Sequence, residues 1–403
     1  MAEKLKILQI TNKPPYPPMD GGAIGMNNVA EEILAAGHFL KILSVNTHKH
    51  FIDPETLPGD YTAKTGIEFC FLDTRIKPLD AFLNLFGRKS YNIQRFYSKE
   101  FEKKLVEILK DTDFDIVQIE SVFLKDYIPA IRRHSKAKIV LRAPNVEYKI
   151  WERLAQTEKN PLKKFYLAIL AQRLKTEELS CLNDFDAIYT VTPGDMEIFE
   201  KHGAKVPMTF IPTGLDVTKQ NTSDDNKEEL SLFHIGALDW MPNQEGLQWF
   251  LDNVWPEISK RFPAVKFYIA GRRPPEWMLQ LNRKNVVMLG EVDDAGSFIR
   301  SHQIMVVPLF SGSGMRVKII EGMMLGKAVV STTIGAEGII VKNGEDIMIA
   351  DSAKAFIDAL ALLLSDAGKL NEIKTNAAKN CHKNYSEEVI TKKLNAFFET
   401  IVR

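Results

Sequence analysis

Cysteine is scarce in this 403-residue chain: Cys70, Cys181 and Cys381 are its only three, far apart and without a CxxC pair. So few thiols exclude a disulfide-stapled framework and predict a reducing compartment. A surplus of one charge is also missing, since Lys and Arg total 52 against 52 Asp and Glu. That balance argues against a partner such as nucleic acid held by bulk positive charge. Long apolar runs are absent: the best, Ala359 to Leu364, is six residues, where a bilayer span needs ~20. Met1-Ala-Glu-Lys-Leu-Lys leads straight into a strand-like run, so no signal peptide is expected. These shortages predict a soluble, cytoplasmic protein, with peripheral contact to a membrane left open. Disorder is excluded by a hydrophobic content of 45%. The length suits two or three domains, at roughly 100 to 200 residues each.

Short β-branched runs alternate with segments of helical period along the whole chain, the pattern of parallel βαβ units covered on both faces. Strands are predicted at Lys6 to Thr11, Phe39 to Asn46, Ile116 to Glu120, Lys138 to Arg142 and Ala187 to Val191. A second set comprises Ser231 to Ile235, Lys266 to Ala270, Val286 to Leu289, Gln303 to Val307 and Ala328 to Thr332. Two doubly wound α/β sheets follow. Between the sets, Thr213 to Glu229 is polar except for Leu215 and Val217 and reads as an interdomain connection. Thr192, Pro193 and Asp195 form a helix start, and Val389, Leu394, Phe397, Phe398 and Ile401 mark one face of a C-terminal helix.

Two segments carry candidate chemistry. Pro14 to Gly25 contains Gly21-Gly22 between the first strand and a helix expected from Met26 to Ala36. Such glycines either let a phosphate approach bare N–H groups at a helix start or serve a turn that needs positive φ. The spaced GxGxxG fingerprint is absent and no acidic residue ends the second strand, which disfavours a nicotinamide-dependent dehydrogenase. The second segment, Val306 to Gly322, places Ser313 and Gly314 in a small-residue loop after a strand, with Arg316 and Lys318 opening a helix. This arrangement offers backbone donors and countercharge to a diphosphate. Glu321 follows Lys318 by one turn and looks toward the same site. The plain alternative is a surface helix with an ordinary Lys/Glu pair.

In its order of motifs the chain resembles the retaining nucleotide-sugar glycosyltransferases of glycosyltransferase family 4. The carriers are the Pro-rich Gly21-Gly22 loop, Gly37-His38, Pro144-Asn145-Val146-Glu147-Tyr148, Thr192 to Asp195, Ile211 to Asp216, Gly236 to Asn243, Gly312 to Glu321, Gly335 to Ile339 and Asn343 to Glu345. The resemblance implies the GT-B fold: two Rossmann-like domains with parallel sheets facing across a cleft. The expected division is an acceptor-side domain over 1–215, a nucleotide-sugar domain over 216–384 and a helix over 385–403 returning to the first domain.

Carried over residue by residue, the resemblance implies that Arg316 and Lys318 face the diphosphate and carry the catalysis. Glu321 would hold the ribose hydroxyls, and Ser313 and Gly314 would line the donor. Gly21 and Gly22 would close over the donor from the other domain. Gly290 and Val292 would meet the base through backbone atoms. Arg272 is within reach of the same cleft, or is a surface arginine beside Arg273. Asn145 and Glu147 mark a possible sugar or acceptor site. The implied activity is a metal-independent hexosyl transfer from a nucleotide diphosphate sugar to a saccharide or lipid-linked saccharide, with retention, in polysaccharide biosynthesis. No cofactor or metal is implied.

Three departures stand out. Ser313 occupies a position that is Glu in many relatives, Gly236 to Gly246 contains no Lys or Arg, and Pro144 replaces a histidine that lies near the reacting sugar. They keep open a degenerate, non-catalytic sugar-nucleotide binder, beside an epimerase on the same fold. His38 and His234 read as scaffold residues. From Arg75 to Lys110, nine Lys and Arg against four Asp and Glu are interleaved with aromatics. This is either an interfacial patch for anionic lipid or a solvated helix with its apolar side in the core.

Overall fold

The computed structural model describes residues 4–75, 84, 87, 89–215, 229–312 and 314–403. Two compact units divide the chain, Met1–Gly214 with Glu388–Arg403 and Leu215–Glu387. The first holds a seven-stranded sheet of β1 Lys6–Thr11, β2 Phe39–Thr47, β3 Glu68–Leu72, β4 Ile116–Ile119, β5 Lys138–Ala143, β6 Ala187–Thr190 and β7 Met208–Phe210. The second holds β8 Glu229–Ile235, β9 Phe267–Ala270, β10 Val286–Gly290, β11 His302–Val307, β12 Ala328–Ser331 and β13 Met348–Ile349. The spatial orders are β3-β2-β1-β4-β5-β6-β7 and β10-β9-β8-β11-β12-β13. All pairings are parallel. Strand order therefore reverses between β1 and β4 and again between β8 and β11, where open α/β sheets leave a crevice at their carboxyl ends.

The helices used below, numbered in chain order, are α1 Gly21–Ala35, α2 Lys99–Asp111, α3 Glu147–Thr157, α4 Pro161–Ser180, α5 Pro193–Lys201, α6 Met241–Asn253, α7 Val317–Met324, α8 Ala367–Tyr385 and α9 Glu387–Val402. Residues alternate between the two faces of each sheet, because successive Cβ atoms of a strand point oppositely. In β1, Leu8 and Ile10 join Phe101, Leu105 and Tyr127 on one side, while Ile7 joins Val29, Ile33, Val140 and Tyr189 on the other. In β11, Ile304 and Val306 pack with Leu247 and Phe250, and Met305 and Val307 with Ile319 and Met323. Burial on both faces explains why these strands are largely apolar.

Helix α9 belongs to the first unit. Its inward stripe is Ile390, Leu394, Phe398 and Ile401, packed against Leu5, Ile7, Ile42 and Ile211. Each fully buried side chain of this size contributes about 1.5–3 kcal/mol. The stripe is offset from the expected one: Ile390 replaces Val389 inside, and Phe397 is only partly buried.

Of the described aromatics between Arg75 and Lys110, all but the exposed Tyr97 face the core. Tyr91, Phe96 and Phe101 are buried, and α2 buries Phe101, Leu105, Ile108 and Leu109, so its lysines line an ordinary solvated side. Phe82 and Phe86 lie outside the described residues. No helix among the described residues is long and apolar enough to cross a membrane. All three cysteines are buried, unpaired thiols.

Candidate functional site

In the second unit, β11 ends at Val307 and runs through Pro308 into a loop whose Gly312 and Gly314 take φ values of 100° and 83°. That region strains any residue with a Cβ. The loop is locked from behind by Gly246 of α6, where an added Cβ would lie 1.9 Å from the Pro308 carbonyl oxygen. Arg316 then occupies the cap position of α7.

Lys318 on the first turn of α7 turns inward to the carboxyl end of β8. Its Nζ donates to Asn243 Oδ1 at 3.1 Å and meets His234 Nε2 at 3.3 Å. His234 Nδ1 lies 2.8 Å from the Val306 carbonyl oxygen. A carbonyl only accepts, so Nδ1 carries the proton and Nε2 presents its lone pair to Lys318. Burial and the neighbouring ammonium keep the imidazole well below its usual pKa. Burial and Arg316 in turn depress Lys318 to about 7. Gly236, the first residue after β8, makes this possible: a Cβ there would stand 3.1 Å from both Lys318 Nζ and Asn243 Nδ2.

Arg316 is 7% exposed, and its guanidinium carbon sits 5.3 Å from the centre of the Trp240 ring, a cation–π geometry. Its Nη1 donates to the Gly314 carbonyl oxygen. A Cβ on Gly312 would approach Trp240 to 2.9 Å and Arg316 Nη2 to 3.0 Å. Glycine, tryptophan and arginine thus interlock, and both cations point into the protein's carboxyl edge instead of outward.

The other expected donor residues line the same edge. Arg272 follows β9, and its carbonyl oxygen accepts from Leu238 N at 2.9 Å. Gly290 closes β10 with φ 73° and accepts from Gly271 N at 2.7 Å, with Val292 packed just beyond it. At roughly 4.8 Å per strand, these positions step outward one and two strands from Gly236. Glu321 is partly buried on α7, one turn past Lys318. Ser313 lies outside the described residues.

In the first unit, α1 begins at Gly21, earlier than expected, because Asp20 caps it by accepting from Ala23 N at 2.9 Å. Gly21 and Gly22 are thus helical, and neither takes a positive φ. What Gly22 supplies is room: its added Cβ would lie 2.8 Å from Lys13 Nζ, which pairs with Asp20 Oδ1 at 2.5 Å. Burial would raise the Asp20 carboxyl, but Lys13 overrides it and holds the group below its usual range.

Pro144, at the histidine position, follows β5 directly. Asn145 hydrogen-bonds the Glu147 side chain, and α3 is capped from α4 by Glu178, which accepts from Glu147 N at 2.9 Å and Tyr148 N at 2.8 Å. Burial, with Asp195 nearby, pushes Glu147 up to about 7, against the pull of Asn145 and Lys13. Burial and Glu147 push Glu178 up to about 8, against its two N–H donors. Asp195 sits at the start of α5, where Thr192 accepts from its N–H at 3.1 Å. A basic, an amide and several carboxyl groups therefore collect around the carboxyl ends of β1, β5 and β6. Below them Arg142 is buried and paired with Glu120 at 3.0 Å.

The sequence reading carried Trp240 and Asn243 only within the Gly236 to Asn243 motif and gave Lys13 and Glu178 no role; His234, read there as scaffold, contacts Lys318. Among the described residues no group of three or more His, Cys, Asp or Glu side chains could hold a metal ion.

Comparison with known proteins bears on the fold and on the second unit's family. Residues 229–366 match the family described as glycosyl transferases group 1. A Klebsiella pneumoniae protein of 44.6 kDa, encoded in a cps region and uncharacterised, is 24% identical over 96% of this chain and 97% of its own. The lipopolysaccharide core biosynthesis mannosyltransferase LpsB of Rhizobium meliloti is 24% identical over 49% of this chain and 62% of its own. The crystal structure of Anabaena HepE in complex with UDP superposes with a TM-score of 0.68 over 98% of this chain and 100% of its own, at 13% identity. The chain has the GT-B fold, and its second unit carries a group 1 glycosyltransferase domain.

Proposed function

We propose that the protein transfers a sugar from a nucleotide diphosphate sugar to a saccharide or lipid-linked saccharide, with retention at the anomeric carbon and without a divalent metal. The observation that carries this reading is the inward pair Arg316 and Lys318 at the strand-order reversal of the second sheet. As the glycosidic bond breaks, negative charge grows on the departing diphosphate. Two fixed cations in a partly desolvated site stabilise that charge far more than water does. They supply the countercharge for which a metal would otherwise serve. Gly314 and the first turn of α7 add backbone donors. Glu321, a pure acceptor when ionised, takes the ribose hydroxyls. Arg272 and the backbone of Gly290 and Val292 extend the site toward the base.

On the first unit, Lys13 with Gly21 and Gly22, and Asn145 with Glu147, form the acceptor side. Glu147, held near neutrality, is suited to accept a hydrogen bond from an acceptor hydroxyl. In this reading no carboxylate acts as nucleophile and the transfer is a front-face substitution. The name of LpsB supports mannose and lipopolysaccharide-type acceptors, and the UDP in HepE supports a uridine diphosphate donor. The buried thiols suit a cytoplasmic setting.

A panel of nucleoside diphosphate sugars, with binding measured by calorimetry and nucleotide release with and without saccharide acceptors, tests the reading. Release should match that of the untreated enzyme after chelation of divalent ions. Glu321→Ala should weaken donor binding by about 10- to 100-fold, the loss expected when hydrogen bonds to a charged group disappear. Binding without release under every acceptor condition would leave only the non-catalytic reading that Pro144 motivates.

A further inference from the structure

Outside the candidate site, the least protected apolar side chains sit at the turn between α3 and α4. Leu162 is 81% exposed and Phe165 69%, the two largest exposures of large apolar side chains among the described residues, and Leu154 at the end of α3 is 49% exposed. Residues 159–165 are exposed without interruption.

The helical geometry shows that this is a second face and not a frayed core face. Helix α4 buries Leu167, Leu170, Ala171, Leu174 and Glu178. At about 100° per residue, Leu162, Phe165 and the half-buried Ile169 point the opposite way. Farther along, the same outward face carries Gln172 and Thr176, as a solvated helix should. The apolar outer face is therefore confined to the tip. That tip is ordered, since Asn160 accepts from Leu162 N at 3.0 Å and Lys163 N at 3.2 Å.

Charge identifies what covers it. From Lys149 to Phe165 there are five Lys and Arg against two Asp and Glu. Lys159, Lys163 and Lys164 are exposed around Leu162, and Lys163 is paired with Glu158 at 2.6 Å. A narrow apolar tip ringed by lysines matches the boundary of an anionic bilayer, with acyl chains below and phosphates around.

We propose that the α3–α4 tip docks the first unit on an anionic lipid surface, with Leu162, Phe165 and Leu154 in the interfacial layer and Lys159, Lys163 and Lys164 among the phosphates. Helix α3 runs from Glu147 to this tip over 11 residues, about 16 Å. A docked tip thus holds Glu147 within reach of a headgroup-borne saccharide. Docking itself needs no donor and no acceptor, so it stands or falls independently of the transfer reaction.

Flotation of the full chain with vesicles of phosphatidylcholine alone, and of phosphatidylcholine rich in phosphatidylglycerol, tests it. The wild type should float with the anionic vesicles at low salt, and roughly a hundredfold more weakly with neutral ones, since each of the three lysines near an anionic surface is worth about a fivefold change. Leu162→Ser/Phe165→Ser should lose flotation by at least about tenfold, with circular dichroism unchanged because both side chains are exposed. Lys159→Gln/Lys164→Gln should lose the preference for anionic vesicles while keeping the residual neutral binding. Flotation of the serine variant equal to wild type would overturn the proposal. So would a wild type that ignores anionic vesicles, or one that self-associates through this tip and becomes monomeric in the serine variant with vesicle binding unaltered.

Discussion

Raising the pH from 6 to 8 should weaken the binding of a nucleotide diphosphate sugar about tenfold through Lys318 alone. In the unliganded protein this ammonium is depressed to about 7, by burial first and by Arg316 second. Both phosphates of such a donor are diesters and stay ionised across the range, so the ligand contributes no titration of its own. A dianion beside Nζ returns the lysine toward its ordinary value, so the bound pKa lies above the free one and a proton is taken up on binding. Affinity is then fully present below pH 7 and falls as pH rises from the free pKa toward the bound one. The charged fraction drops from about nine-tenths at pH 6 to about one-tenth at pH 8, which gives the tenfold loss if the anion binds the ammonium form.

Groups facing Lys318 do not blur the result. His234 stays neutral because its pKa lies well below the range, Asn243 does not titrate, and Arg316 remains cationic. Calorimetry in two buffers of different ionisation enthalpy counts the protons directly. Uptake should be about 0.1 at pH 6, about 0.5 at pH 7 and about 0.9 at pH 8. Lys318→Arg should bind without pH dependence, since a guanidinium does not deprotonate here. Absence of proton uptake at pH 8 in the wild type, or its persistence in the arginine variant, would refute the assignment.

Three further outcomes follow from the packing. Gly236→Ala places a methyl 3.1 Å from Lys318 Nζ and Asn243 Nδ2; the protein should fold normally yet bind donor about tenfold more weakly, the scale of one displaced charged hydrogen bond, and wild-type affinity in a calorimetric titration would contradict this. Trp240→Ala removes the aromatic face beneath Arg316 and should cost about 0.5–2 kcal/mol of donor affinity, whereas Trp240→Phe should restore most of it; equal losses in both would contradict a role for the aromatic face. Phe398→Ala empties a fully buried site in α9 and should destabilise the first unit by about 3–5 kcal/mol in denaturant unfolding, with donor affinity at the second unit unaltered in native conditions.

The two sheets were legible because parallel strands covered on both faces run apolar, and all ten anticipated strands are present. Those that escaped lie at sheet margins. β3 and β7 end the first sheet and β13 ends the second. Phe71 of β3 is 48% exposed, and β13 is two residues long, so neither shows the continuous apolar run of a central strand. The start of α1 was missed for a different reason: glycine lowers helix propensity, and the Asp20 cap with its Lys13 partner outweighs that penalty.

The candidate site was legible only where it is local. Arg316, Lys318 and Glu321 lie within two turns after a glycine loop, and a strand-loop-helix pattern announces them. Their partners are distant in sequence: His234 and Asn243 reach Lys318 across 84 and 75 positions. His234 resembled scaffold because it sits inside the apolar strand Ser231 to Ile235. The available signal was its position, one residue before the carboxyl end of the strand beside the order reversal, where a buried polar side chain can face the site. The missing basic residue between Gly236 and Gly246 acquires a physical meaning in that setting. A second cation there would repel Lys318 and depress it further, whereas Asn243 accepts from it. The site therefore holds less fixed charge, orients the charge it has through two neutral acceptors, and leaves Lys318 poised to gain a proton when an anion arrives.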